Sequence, residues 1–199
     1  LLDSIRLVRR LFPVRSYSSD FDHTYSEVMA AKSPLKTTPD SQREAAAPPP
    51  PSQEQKALGV FLGRWHTTGD VAATASTPAV KVDSIDTYEW YAGEYFLVHE
   101  ADSKVGDDRI KSLEVIGYDA EQQRHFASFF DSTGGSGVEE LRRNGNTWTW
   151  LGSNVMGVKW HRCIAVVSDD RRTVEARHEK SEDGKNWNLW MDVTLAKEC

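Results

Sequence analysis

The sequence predicts an all-β protein: an antiparallel up-and-down β-barrel of about ten strands, with a short N-terminal helix and a disordered leader ahead of it. Three observations predict this. Apolar and polar residues alternate with a period of two from Trp65 onward, and turn clusters arrive roughly every 8 to 15 positions. No helix-length segment is left over to cross between parallel strands, so neighbouring strands must be antiparallel.

Glycine, proline and tryptophan mark the division between leader and fold. All 13 Gly and all 7 Trp stand at or after Gly59, whereas seven of the 8 Pro precede Ser52. Glycine permits the positive φ of tight turns, and proline removes a backbone donor that a sheet needs. Residues 1–51 therefore read as leader and 52–199 as the barrel domain. Within the leader, Leu2, Ile5, Val8 and Phe12 share one helical face with Arg6, Arg9 and Arg10 elsewhere. Arg15-Ser16-Tyr17 follows in the manner of a mitochondrial processing site. The competing reading places the native start at Met29, which makes cytoplasmic the first expectation for localisation and the mitochondrial matrix the alternative. The run Pro48-Pro49-Pro50-Pro51 reads as a stiff polyproline spacer.

Ser52-Gln53-Glu54-Gln55 has the form of a capping box, opening a helix through Leu62 that Gly63 ends. Ten strands follow, over residues 64–71, 84–91, 95–104, 111–119, 124–132, 138–143, 147–152, 158–168, 173–180 and 187–197. Asn144-Gly145-Asn146 and Asp183-Gly184-Lys185-Asn186 supply hairpin chemistry. Ten strands in an open sheet would leave two exposed edges, so closure is expected, with a sandwich as the alternative. Parity then assigns faces. In the last strand Trp187, Leu189, Met191, Val193 and Leu195 should face inward, as should Val174, Ala176 and His178 in the strand before it. Tyr95, Leu97 and His99 are expected inside as well.

Charge narrows the function classes. Residues 1–52 carry 7 basic and 6 acidic side chains out of totals of 24 and 30, leaving 17 against 24 and a net of −7 for the rest. Such an acidic domain lacks the basic stripe that phosphate neutralisation requires, so nucleic acid is not an expected partner. No apolar run approaches the ~20 residues of a membrane helix, and a soluble domain is expected. The 2 cysteines, Cys163 and Cys199, read as free thiols. The histidines His23, His66, His99, His125, His161 and His178 are scattered over different segments, and no metal site is expected. His161 and Cys163, two apart on one face, are the best local pair.

Several stretches carry a family resemblance. They are Asp86-Thr87-Tyr88-Glu89-Trp90, Tyr95-Phe96-Leu97-Val98-His99, Glu114-Val115-Ile116-Gly117-Tyr118-Asp119 and Phe130-Asp131-Ser132-Thr133-Gly134. Asn146-Thr147-Trp148-Thr149-Trp150 and the ending from Asp183-Gly184-Lys185-Asn186-Trp187 to Leu195 belong with them. Together, from Gly59 to Lys197, they resemble a largely bacterial family of uncharacterised lipocalin-like, calycin-type domains, a domain of unknown function. The resemblance implies a β-barrel and no established activity. More distantly, Gly63-Arg64-Trp65 resembles the Gly-x-Trp that opens lipocalins, fatty-acid-binding proteins and haem-binding nitrobindins, where the Trp plugs one barrel end. The Gly-rich continuation of the nitrobindins is replaced here by His66-Thr67-Thr68-Gly69. The last strand has no histidine where their iron ligand would stand, so no cofactor is expected.

No nucleophile elbow or Ser-His-Asp order is visible, and no catalytic residue is assigned. The expected function is binding of a small apolar or aromatic molecule in the barrel. Its candidate site residues are His99 and His178 as polar anchors, Trp65, Trp90, Trp148 and Trp150 as aromatic surfaces, and Glu89 and Asp131 as carboxylates. A small barrel enzyme using the same histidines and carboxylates is the second reading, and an interaction domain, including a homodimer through the barrel wall, the third.

Overall fold

The Ser52 side chain opens the first helix by satisfying its N-terminal end. In the computed structural model, which describes residues 48–199, its hydroxyl accepts from the Gln55 N–H at 3.2 Å, and the Gln55 side chain accepts from the Ser52 N–H at 2.7 Å. This reciprocal capping box opens α1 (Gln53–Ala57). The leader readings on residues 1–47, His23 among them, lie outside the described residues. The helix is shorter than the sequence suggests, because it tightens into a 3-10 turn at Leu58–Val60. That tightening sets Leu58 and Phe61 into the barrel, where both are buried.

Ten strands follow: β1 (Gly63–Val71), β2 (Val80–Trp90), β3 (Leu97–Val105), β4 (Asp108–Asp119), β5 (Arg124–Asp131), β6 (Ser136–Asn144), β7 (Thr147–Val155), β8 (Val158–Val167), β9 (Thr173–Ser181) and β10 (Asn188–Lys197). Each pairs antiparallel with its chain neighbour, and β1 pairs with β10, so the sheet closes as a barrel and not as a sandwich. Closure leaves no edge strand to attract another chain. Gly69 marks the seam: a Cβ there would overlap the Asp192 carbonyl oxygen and Val193 of β10. Val80 to Asp83, expected to be loop, begin β2, because they pair with β1 on one side and, from Val82, with β3 on the other.

Parity holds over most of the wall but breaks in β10. Leu189 stands opposite Glu179 and Met191 opposite His178, so Trp190 is an extra residue in β10 and forms a bulge. The bulge shifts the face by one. Leu189, expected inside, is exposed, and Trp190, expected outside, is buried, while Val193 and Leu195 keep their inward places.

One end of the barrel is a packed apolar floor. Trp65 is fully buried there with Leu97, Ile116, Leu141 and Trp148, beneath Leu58 and Phe61. The indole N–H of Trp65 donates to the Phe61 carbonyl at 2.6 Å, so the plug is hydrogen-bonded as well as packed. The imidazole of His125 in β5 ties the helix on, with Nε2 2.9 Å from the Glu54 carbonyl oxygen. Among the described residues no helix is long and apolar enough to cross a membrane.

Candidate functional site

Above this floor the barrel encloses a partly open, mainly apolar cavity of about 230 Å3. Polar side chains enter it from two walls, each as a closed network.

The first network spans β2, β3 and β4. His99 stands directly across from Glu114 on one side and Tyr88 on the other, with Asp86 two residues along β2 from Tyr88. Its Nε2 lies 2.9 Å from Asp86 Oδ1 and its Nδ1 3.2 Å from Glu114 Oε2. Two carboxylate acceptors require two N–H donors, and only the imidazolium has both. Burial opposes that charge, but the hydrogen bonds and charges of Asp86 and Glu114 outweigh it and lift the His99 pKa to about 9. Burial likewise works against ionised Asp86, yet His99 holds that carboxyl below its ordinary value. The Tyr88 ring stacks on the His99 ring at 4.0 Å and within 5° of parallel, an arrangement suited to a cationic ring. The Thr67 and Ser84 hydroxyls also favour the ionised Asp86 carboxylate, and Asp86 Oδ2 and Thr67 Oγ1 are themselves buried away from the cavity surface.

The second network spans β6, β8 and β9. Glu139 Oε1 lies 2.7 Å from His161 Nδ1, and His161 Nε2 lies 3.1 Å from His178 Nδ1. His178 Nε2 in turn approaches Cys163 Sγ at 3.7 Å. Glu139 and His161 are both about 1% exposed, and β7 runs between their strands. They meet because the β7 residue paired with both is Gly152; a Cβ there would press on Glu139 Cγ and Val155. Burial, reinforced by the Glu114 charge, raises the Glu139 pKa to about 8. Burial also lowers His161 to about 4 against the opposing pull of Glu114, and lowers His178 to about 3 with help from His161. The network is thus neutral at pH 7 and has one direction. The Glu139 carboxyl donates to His161, His161 donates through Nε2–H to His178, and the His178 Nε2–H points toward Cys163. Burial pushes the Cys163 thiol well up, so it too stays neutral.

The sequence candidates divide on this geometry. His99, His178, Trp150 and Asp131 line the cavity. The Asp131 carboxylate is already engaged, accepting from Thr133 N–H at 2.7 Å, the Thr133 hydroxyl at 2.6 Å and Gly135 N–H at 3.0 Å. Trp65 and Trp148 are packed in the floor, and half-buried Trp90 packs on the outside of it against Gly59; none of the three borders the cavity. Glu89 is exposed on the outer wall, because the inward positions of β2 are Val82, Ser84, Asp86 and Tyr88. Besides Asp131, the inward carboxyl groups are Asp86, Glu114 and Glu139, which the sequence does not single out, with Thr67 beside Asp86. The histidine and cysteine parity at His161 and Cys163 pointed to the second network but not to its carboxyl end.

The cavity imidazoles come from β3, β8 and β9, while the inward residues of β10 below its bulge are Met191, Val193 and Leu195. Among the described residues no group of three His, Cys, Asp or Glu is arranged to hold a metal ion.

Comparison with curated protein sequences gives no match. Among solved structures, the barrel is similar to the crystal structure of Rv2717c from M. tuberculosis, with a TM-score of 0.57 and 11% identity, covering 75% of this chain and 99% of that one. At that identity the likeness is one of fold. A family model described as Protein of unknown function (DUF1579) matches residues 50–197, the whole of the barrel from its capping helix to the last strand. With three quarters of its length matched, the chain belongs to the DUF1579 family.

Proposed function

We infer that the barrel binds a small, largely apolar molecule in its cavity. The observation that carries this is the cavity itself, about 230 Å3 of mainly apolar space above a packed floor. An apolar occupant that displaces water from such walls is favoured by the hydrophobic effect and by the dispersion contacts it makes. Its volume lies below the ~300–1,000 Å3 usual for drug-sized ligands, which favours a compact occupant. Apolar walls with a few fixed polar groups are the usual composition of such sites.

Binding is favoured over catalysis by the state of the imidazoles. His99 and His161 are engaged at both ring nitrogens, and His178 at one, with its second directed at Cys163. A general base needs a free nitrogen of suitable pKa facing the reacting group. His178, depressed to about 3, is a weak base.

Trp150 on the cavity wall provides the readout. Titration of the full chain with 2-phenylethanol and 1-hexanol is expected to change the tryptophan emission saturably, and the change is expected to shrink in Trp150→Phe. If neither probe alters the emission or yields a calorimetric isotherm, and native mass spectrometry of freshly purified protein finds no retained ligand, the reading fails.

A further inference from the structure

Most polar groups around the cavity have strong partners inside the protein. His99 and His161 are bonded at both ring nitrogens, Ser84 and Ser103 bond each other at 2.8 Å, and Asp131 accepts from its own turn. His178 is matched well on one side only. Its Nδ1 accepts from His161, which leaves the proton on Nε2, and that N–H is directed at the Cys163 sulfur 3.7 Å away, a weak acceptor. His178 is also the most open member of its network: it lines the cavity and is half-buried, where Glu139, His161 and Cys163 are buried. An N–H so placed in an apolar enclosure gains most from a ligand that offers it an oxygen.

The kind of oxygen follows from the surroundings. A carbonyl accepts without bringing a hydrogen of its own, whereas a hydroxyl brings an O–H that then needs a partner. A carboxylate would bring its charge into a cavity whose lining, among the described residues, holds carboxyl groups and no Lys or Arg. Met191 and Trp150, the cross-strand partners of His178 and Cys163, supply apolar surface on either side of the N–H.

We propose that the cavity selects a small apolar ketone or aldehyde, whose carbonyl oxygen accepts the His178 Nε2–H in place of the Cys163 sulfur. This rests on the small-molecule reading above and specifies the chemical class of the ligand.

The donor is reversible, because the line that fixes the His178 tautomer ends on a carboxyl group. While Glu139 keeps its proton, each member donates toward Cys163. Once Glu139 ionises, its carboxylate accepts from His161 Nδ1–H, His161 Nε2 accepts from His178 Nδ1–H, and His178 Nε2 becomes an acceptor. Burial places that ionisation at about pH 8. Of the other groups facing His178, the Cys163 thiol is held neutral by burial, and β10 presents Met191, which does not titrate. Across the cavity Asp86 and Glu114 flank the His99 imidazolium, which keeps its proton to about 9, and the Tyr88 phenol stays neutral.

Acetophenone and 1-phenylethanol, alike in shape and different in the polar group, test the proposal by calorimetric titration into the full chain at pH 7 and pH 9. At pH 7 the ketone is expected to bind about three- to tenfold tighter, the value of one ordinary hydrogen bond, and its carbonyl infrared band to move to lower frequency on binding. At pH 9 the alcohol is expected to be the tighter ligand. Glu139→Gln should remove this dependence on pH, because the amide does not ionise, while His99 is still present. His178→Phe should erase the ketone preference at pH 7; where that variant does not fold, the infrared band and the reversal in the parent chain carry the test. Alcohol binding as tight as ketone binding at pH 7 overturns the proposal and leaves the small-molecule reading standing. So does an unshifted carbonyl band, a ketone preference unchanged at pH 9, or a reversal that survives in Glu139→Gln. If neither probe binds, the proposal falls, and 2-phenylethanol and 1-hexanol decide whether the small-molecule reading falls with it.

Discussion

Glu139 and His161 make a 2.7 Å hydrogen bond across a strand to which neither belongs, because the residue between them, Gly152, has no side chain. Adjacent strands lie ≈ 4.7–4.9 Å apart, so partners two strands away meet only over an empty position. From that contact the line continues through His178 to Cys163, and one proton on the Glu139 carboxyl sets the direction of every hydrogen bond in it.

Gly152→Ala should therefore act well beyond its added methyl. The Cβ would press on Glu139 Cγ and Val155 and part the Glu139 carboxyl from His161. Leaving both buried and unpaired is expected to cost about 1–3 kcal/mol, with a similar amount for overpacking. Urea unfolding would report it as a lower midpoint at unchanged slope. A variant as stable as the parent would show that the contact contributes nothing.

Stability should peak near pH 6.5. Unfolded imidazoles bind protons below 6.5, whereas folded His161 and His178 stay neutral to about 4 and about 3, so the unfolded state binds more protons and stability falls on acidification. Folded Glu139 holds its proton to about 8 against 4.5 unfolded, and folded His99 holds its own to about 9 against 6.5. Both of these lose stability as pH rises. Below pH 6.5 the two depressed imidazoles outweigh the one raised carboxyl, and above it the two remaining groups pull the same way. Melting temperature against pH should show this maximum, and Glu139→Gln should flatten the fall between pH 6.5 and about 8. A melting temperature that rises steadily to pH 9 would contradict the assignment.

Trp65→Ala removes the plug, its hydrogen bond to Phe61 and the ring over which the Lys197 ammonium lies at 5.2 Å. For a fully buried Trp the loss is expected at about 3–5 kcal/mol, one of the largest single-site effects in the chain. Chemical denaturation measures it. A loss below about 1 kcal/mol, the size of an ordinary surface or partly buried change, would mean that Trp65 does not hold the barrel end.

Glu89→Ala should be nearly silent. The side chain is exposed on the outer wall, so stability is expected to change by less than about 0.5 kcal/mol. The affinity of the full chain for 2-phenylethanol should be unaltered. A clear loss of that affinity would show that the outer face of β2 communicates with the cavity.

The sequence was legible wherever one physical rule acted alone. Ser52 and Gln55 announce a capping box because helix ends leave donors that only nearby side chains reach. The Asn144-Gly145-Asn146 turn is legible because Gly145, at φ +60, needs a conformation that side chains disfavour. Parity, a local property, puts His99 and His178 inside. Hydrophobic alternation misleads where the inside is polar. In β4 and β6 the outward residues include Leu113 and Val138 and the inward ones Glu114 and Glu139, so alternation of hydrophobicity reads backwards there. It failed again at Trp190, because a bulge is fixed by the partner strand and leaves no mark in a single strand's pattern.

Alternation, turn chemistry and the absence of crossover helices suffice to fix ten antiparallel strands, their order and the capped helix before them, because each depends on neighbours along the chain. Which carboxyl meets which imidazole was decided only by closure. Bringing β1 against β10 turned one face of every strand toward a common interior, and there Asp86, Glu114 and Glu139 found partners on other strands. Contacts between residues 13 to 22 positions apart, one of them reaching over a glycine in the strand between, are set by register and curvature, which no local pattern encodes.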